Sequence, residues 1–139
     1  MFHNPPNEDV RALLAQARTI AVVGLSPRPG RPSHRIARRL KAWGYRVIPV
    51  RPAVREVLGE KAYPRLADVP HKIDLVDIFR AAPEVGPIVD QCIALALPAI
   101  WIQQGIVNQP AAERARAAGM FVVMDRCISV DYRRLMVPA

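Results

Sequence analysis

Five short apolar runs recur along the chain, and the stretches between them space their apolar residues as helices do. The first run is Ile20, Ala21, Val22 and Val23, uninterrupted as in a strand covered on both faces. After a loop of Gly, Ser, Pro and Arg, residues Ile36, Ala37, Leu40 and Trp43 fall at helical spacing, with Arg35, Arg38, Arg39 and Lys41 on the other face. Either Pro32 in the first turn or Ser33 as N-cap opens that helix, and Gly44 suits its end. Arg46 to Val50 form a second strand, where Pro49 removes a ladder donor and implies a strand end or bulge. Residues 53 to 70 read as loop, with one helical turn at Val54, Val57 and Leu58 and another around Leu66 to Val69. Ile73 to Phe79 make a third strand, in which Asp74 and Asp77 fall on opposite faces. That favours structural roles over a paired acid and base.

Pro83 starts the next helix, whose buried face is Val85, Ile88, Val89, Cys92, Ile93 and Leu95. Ala99 to Ile102 follow as a fourth strand, then a helix capped by Asn108 and stopped by Gly119. Phe121 to Met124 are the fifth strand, and Asp131 to Met136 a last helical turn. Ahead of the first strand, Asn7 suits an N-cap and Val10, Leu13, Leu14 and Ala17 form a stripe, which predicts a short helix on the sheet edge or across its end.

Strands alternating with helices in this way predict an α/β fold with a doubly wound parallel sheet of about five strands and helices on both faces. The strand order expected is 3-2-1-4-5, with winding reversing between the first and fourth strands. A ligand crevice is then expected between the loop at Leu25 to Pro32 and the loop at Gln103 to Val107. At 139 residues, 51% apolar and 23% charged, the chain is expected to be one soluble domain over residues 1–139, without tail or linker.

Candidate chemistry concentrates between Thr19 and Arg39. A strand ends there, Gly24 permits close backbone approach, and a helix N-terminus points back at the loop, which suits an anion and phosphate best. The loop is not a dinucleotide fingerprint, since Gly24 is followed by Leu25, Ser26 and Pro27 and the next glycine is Gly30; it also lacks the Lys of a P-loop. Charge supports the anion reading. The formal charge is +8, and no Asp or Glu occurs between Val10 and Arg55. Arg51 stands where a dinucleotide enzyme carries the acid that holds the adenosine ribose, which disfavours NAD and favours a ligand with an extra ribose phosphate, such as NADP or coenzyme A.

Neither a secretory signal nor a membrane-length apolar run is recognisable, so a cytoplasmic location is expected and no membrane partner. Cys92 and Cys127 are far apart and His3, His34 and His71 isolated, which supports neither disulfide nor metal. Cys92 reads as a core residue. Cys127 follows the fifth strand directly, at the same sheet edge as the crevice, with Arg126 beside it to favour a thiolate; it is a candidate redox thiol, weighed against a buried structural role. His34 reads as a helix cap or decoration rather than a general base.

The segments VVGLSP with RPS and its basic helix, GYRVIPV followed by Arg51-Pro52, VLGEKAYP, IDLVDIFR, WIQQGIVN and VVMDRC together resemble the stand-alone bacterial and archaeal CoA-binding proteins. These are small Rossmann-like domains similar to the nucleotide-binding domain of succinyl-CoA synthetase alpha subunits. The likeness runs from about Arg18 to Leu135 and implies coenzyme A as the cofactor. It implies that Gly24, Leu25, Ser26 and Arg28 lie against the pyrophosphate and ribose, with Ser33 near the helix N-terminus. It further implies that Val50, Arg51 and Pro52 border the adenosine, Lys61 and Tyr63 the adenine side, and Phe79, Arg80 and Pro83 the pantetheine path, while Gln103 and Gly105 line the switch point. Two departures stand out: Arg51 where the family usually has Asn, and Leu97-Pro98 in place of a Gly-Ala-Lys type turn.

Function classes follow from these readings. The leading one is a non-catalytic carrier, sensor or accessory module for CoA or an acyl-CoA, thiol-linked through Cys127 if that residue is reactive. Its partners would be the small molecule and either a second copy or an acyl-CoA enzyme. The catalytic His of the synthetase lies on another domain, so no catalytic residue is assigned. An NADP-dependent oxidoreductase gains from Arg51 but has no Tyr-x-x-x-Lys pair. Nucleic-acid binding through the Arg-rich helix is disfavoured, since no helix-turn-helix, zinc-finger or RNP pattern accompanies it.

Overall fold

In the computed structural model, which describes residues 1–138, five parallel strands form one sheet between two helical layers. Helix α1 (Asn7–Gln16) leads into β1 (Thr19–Val23), α2 (Pro32–Ala42) and β2 (Arg46–Val50). A hairpin of β3 (Glu56–Val57) and β4 (Glu60–Lys61) and a 3-10 turn at Leu66–Asp68 precede β5 (Leu75–Ile78). The chain continues through α3 (Ala82–Ala94), β6 (Ala99–Ile102), α4 (Gln109–Ala117), β7 (Phe121–Met124) and α5 (Ile128–Met136).

The five expected strands are present, but their order differs from expectation. Across the sheet it runs β2-β1-β5-β6-β7, which is 2-1-3-4-5 rather than 3-2-1-4-5. The third strand pairs with β1, Ile20 against Leu75 through Val23 against Ile78, and not with β2. Pro49 supplies the physical reason. In the expected order β2 is internal and each of its N–H groups is needed, whereas here β2 is an edge strand whose inner side pairs with β1. On its outer side Tyr63 N–H donates to the Pro49 carbonyl at 3.0 Å and Arg51 N–H to the Tyr63 carbonyl at 2.8 Å, so no ladder donor is demanded of the proline. No bulge is needed.

Strand alternation sends two cores to opposite faces. Ala21, Val23, Val76, Ile78, Ile100, Ile102 and Val122 pack under α3 and α4 with Val85, Val89, Cys92 and Ala112. Ile20, Val22, Leu75, Trp101 and Val123 pack under α1, α2 and α5 with Val10, Leu14, Leu40 and Ile128. Helix α1 thus covers a sheet face rather than an edge or end. Asn7 does not cap it: Pro6 holds that place, and Asn7 Oδ1 accepts from Arg134 Nη2 at 3.1 Å.

Two other local expectations change, and the open choice at the start of α2 is decided for Pro32. The turn expected at Val54 to Leu58 is the β3–β4 hairpin, with Leu58 and Gly59 at φ 55° and 76°, the positive pair a tight two-residue hairpin requires. The last turn is a full helix that begins just after Cys127. For α2, Pro32 lies in the first turn and Ser33 caps nothing; its hydroxyl turns back to the preceding loop. Among the described residues no helix is long and apolar enough to cross a membrane.

Candidate functional site

Because the order is 2-1-3-4-5, winding reverses between β1 and β5. The crevice therefore opens between the loop after β1 and the loop after β5, not between the first and fourth strands as expected. These two loops touch. Gly24 has φ 86°, and a Cβ built there would lie 2.6 Å from the Phe79 carbonyl oxygen and 2.9 Å from the Arg80 side chain, so both its conformation and its contact demand glycine. Gly24 N–H donates to the Val50 carbonyl at 2.9 Å, and its own carbonyl accepts from Arg51 Nη1 at 3.2 Å.

The loop is tied to the first turn of α2. Ser26 N–H donates to Ser33 Oγ at 3.0 Å, Ser26 Oγ accepts from Arg28 N–H at 3.1 Å, and His34 Nδ1 lies 3.0 Å from the Ser26 carbonyl. A carbonyl only accepts, so Nδ1 carries the proton. His34 is buried, which fits the helix-decorating role expected of it. Ser33 and His34 lie in the turn whose N–H groups have no intrahelical acceptor, and exposed Arg28 and Arg31 flank it. The helix start and these two arginines favour negative charge here.

Two cavities flank this junction and share Arg80. One, of about 390 Å³, lies between Gly24, Val50 and Pro52 on one side and Pro64, Leu66, Pro83 and Ile88 on the other. The second, of about 350 Å³, is walled by Pro32, Ile36, Phe79, Gln103 and Cys127. Arg80 Nε donates to Glu84 Oε2 at 3.0 Å, which holds the guanidinium at the shared wall. The CoA binding domain family matches residues 18–133 of this sequence. The chain belongs to that family.

Among relatives of this CoA binding domain, the uncharacterized protein YneT of Bacillus subtilis (strain 168) is 37% identical over 131 residues, 94% of this chain and 97% of that protein. The ADP-forming acetate–CoA ligase I of Archaeoglobus fulgidus is 33% identical over 75 residues, 54% of this chain but 11% of the ligase. A hypothetical protein from Pyrococcus horikoshii OT3 superposes with a TM-score of 0.90 at 35% identity, over 98% of this chain and 99% of that one. The Rossmann-like α/β architecture is thus shared with small stand-alone proteins, and the family likeness extends to the ligases.

The structure brings most of the expected site residues of the CoA binding domain to one edge. Gly24, Leu25, Ser26, Arg28 and Ser33 form the loop and helix start, with Val50, Arg51 and Pro52 beside them and Phe79, Arg80 and Pro83 opposite. Tyr63 extends the edge through its bridge to Val50, and Lys61 lies with its ammonium 5.3 Å from the Tyr63 ring centre. Gln103 lies one strand beyond the switch point, buried, with Oε1 accepting from Ile128 N–H at 3.2 Å. Gly105 turns away, its N–H given to Asp125 Oδ1 at 2.7 Å.

Cys127 follows the fifth strand to the crevice, as expected, but Arg126 is not what favours its thiolate. Arg126 is engaged with Asp131 at 2.6 Å and does not serve the thiol. Burial acts to raise the Cys127 pKa, but hydrogen bonds from the Ser129 hydroxyl, the Val130 and Ser129 N–H groups and the Gln103 side chain outweigh it and hold the thiol below its ordinary value. Sγ lies 3.2 Å from Ser129 Oγ. Asp77, read from sequence as structural, is fully buried, and neither carboxyl oxygen has a hydrogen-bond partner among the described residues. Burial and then the charge of Cys127 push its pKa well above the usual carboxyl range. Asp74 is the structural member of the pair, accepting from the Arg18 and Thr19 N–H groups at 2.9 Å each.

Proposed function

We propose that this chain, as a single CoA-binding domain, binds coenzyme A or an acyl-CoA across the β1–β5 switch point and acts as a non-catalytic carrier, sensor or accessory module. The observation that carries the reading is the junction at Gly24. It sets a basic, anion-ready helix start between two cavities, each of a size for one arm of a bent nucleotide ligand. In this reading the diphosphate rests on the Gly24 to Ser33 loop and the first turn of α2. Adenine takes the cavity beside Val50, Pro52 and Leu66, with Lys61 and Tyr63 at its outer side. Pantetheine passes Phe79, Arg80 and Pro83 towards Gln103 and Cys127.

Arg51 is assigned to the ribose phosphate. Its guanidinium already lies against the Gly24 carbonyl, so the charge is held beside the loop before ligand arrives. The CoA ligases that share the domain support the ligand class, while their ligase activity belongs to enzymes of which the matched part is 11%. A cytoplasmic location and a partner that is either a second copy or an acyl-CoA enzyme belong to the same proposal.

Calorimetric titration of the reduced protein with CoA, dephospho-CoA, acetyl-CoA and NADPH tests it. CoA is expected to bind, with Arg51→Ala and loss of the 3′-phosphate each weakening it about tenfold, or about 1.4 kcal/mol. The two losses should not add, because they remove the same contact. Heat from NADPH alone would contradict the reading and favour an oxidoreductase.

A further inference from the structure

Among the described residues, Asp77 is buried with both carboxyl oxygens unpartnered, whereas Asp131, the other buried carboxyl, is paired with Arg126 and Arg134. A carboxyl without a partner in the interior costs several kcal/mol if ionised and is kept only where something compensates or uses it. Its register places it. Asp77 stands in the sheet between Val22 and Trp101 and points to the face under α2 and α5. The Trp101 indole N–H donates to the Arg126 carbonyl at 2.8 Å, and Gln103, two residues further along the same strand, reaches Cys127 and Ile128. Asp77 therefore lies beneath the start of α5, where Cys127 forms part of the wall of the 350 Å³ cavity.

We propose that Cys127, with Asp77 behind it, is a thiol-exchange centre that takes the sulfur end of CoA as a mixed disulfide. This rests on the CoA reading above and names the chemistry at the far end of that ligand. The co-reactant is a CoA-containing disulfide, CoA–S–S–R. Cys127 Sγ, as thiolate, attacks the CoA-side sulfur and forms the new S–S bond. The old S–S bond breaks, and R–S⁻ leaves with its electron pair and takes a proton from water. One disulfide is exchanged for another, with no net oxidation. A second thiolate reverses the step.

Asp77 acts through Cys127. While Asp77 keeps its proton, the helix start, Ser129 and Gln103 favour the thiolate and outweigh the burial that opposes it. When Asp77 ionises, its charge opposes the thiolate. Two such groups titrate as a pair, with two macroscopic steps. The titratable groups on surrounding elements are engaged elsewhere: His34 of α2 on the Ser26 carbonyl, Arg80 on Glu84, Arg126 and Arg134 on Asp131 of α5. Tyr45 and Tyr132 pair edge to face further out, and burial followed by the charge of Tyr132 pushes Tyr45 up to about 12.

The test incubates the reduced protein with CoA disulfide and reads intact mass without reductant, alongside calorimetry with CoA. Wild type and Cys92→Ser should gain one CoA moiety that dithiothreitol removes, and Cys127→Ser should gain none. Glutathione disulfide should react at least tenfold more slowly than CoA disulfide. The adduct rate should rise with pH in two steps in wild type and in one step in Asp77→Asn. CoA binding without an adduct overturns this proposal and leaves the CoA reading intact, whereas absence of both overturns both. An adduct on Cys92, or equal rates with the two disulfides, overturns the thiol centre, and identical pH profiles overturn the part given to Asp77.

Discussion

The two faces of the sheet solve the same packing problem with different materials. Under α3 and α4 the strands present Ala21, Val23, Val76, Ile78, Ile100 and Val122, and the buried Asp and His side chains among the described residues, His34, Asp77 and Asp131, lie on the other side of the sheet. Under α1, α2 and α5 the same strands present Ile20, Val22, Leu75 and Trp101, but also Asp77 and Gln103, and the helices above add His34, Ser129 and Asp131. Thr19 alternates to the α3 and α4 face at the amino edge, and Ser26 and Ser33 are buried in the loop and helix start at the crevice. The cysteines register the difference. Burial pushes the Cys92 thiol up to about 12, while the polar start of α5 holds Cys127 below its ordinary value. One face is apolar through its middle, and the other carries ionisable groups close to the crevice.

The largest effect should come from moving a carboxyl between the faces. Val76 neighbours Asp77 in the strand, is equally buried, and points to the apolar side. Val76→Asp should cost about 4 kcal/mol or more in urea unfolding, the scale of an uncompensated buried charge. A cost near zero would mean the two faces do not differ as described. A smaller effect sharpens the contrast. Folding raises the Asp77 pKa, so the native state holds that proton more tightly than the unfolded chain does. Stability from this group is therefore fully present below the ordinary carboxyl range. It declines as pH rises from there through the raised folded value, by at most about 1.4 kcal/mol per pH unit. Asp77→Asn should flatten that decline in urea unfolding measured against pH. An unchanged slope would place the titrating carboxyl elsewhere.

Much of this was legible in the sequence, and the omissions have causes. The five strands and their helices show as apolar runs and helical spacing, which are local signals. Strand order is not local. Pro49 carried the one usable clue, because a strand with a missing donor in its middle belongs at an edge. That clue also bears on Asp77. In the order 3-2-1-4-5 the third strand is an edge, where a carboxylate reaches water, but between β1 and β6 it is sealed. Alternation separated Asp74 from Asp77 by face without showing which one had partners. The β3–β4 hairpin was missed because Leu58, a residue that rarely takes positive φ, occupies the turn before Gly59. The loop proposed to hold the anion stood out because glycine, serine and an acid-free run of arginines leave their mark in composition, as did Arg51. Gly105 was misplaced because Asp125, far along the chain, takes its N–H.

A further contrast separates the ends of the sheet. A groove of about 740 Å³ lies at the amino edge between Asp9, Leu13, Lys72, Asp74 and Phe121, remote from the Gly24 junction. Asp74, at its wall, accepts from the Arg18 and Thr19 N–H groups. Backbone amide chemical shifts recorded while CoA is added to isotope-labelled protein distinguish the two ends in one experiment. The account predicts the largest shifts at Gly24 to Ser26, Ser33, Arg51 and Phe79 to Ala82, with little change at Leu13, Lys72 or Phe121. Shifts centred on the amino-edge groove would contradict binding at the β1–β5 switch point.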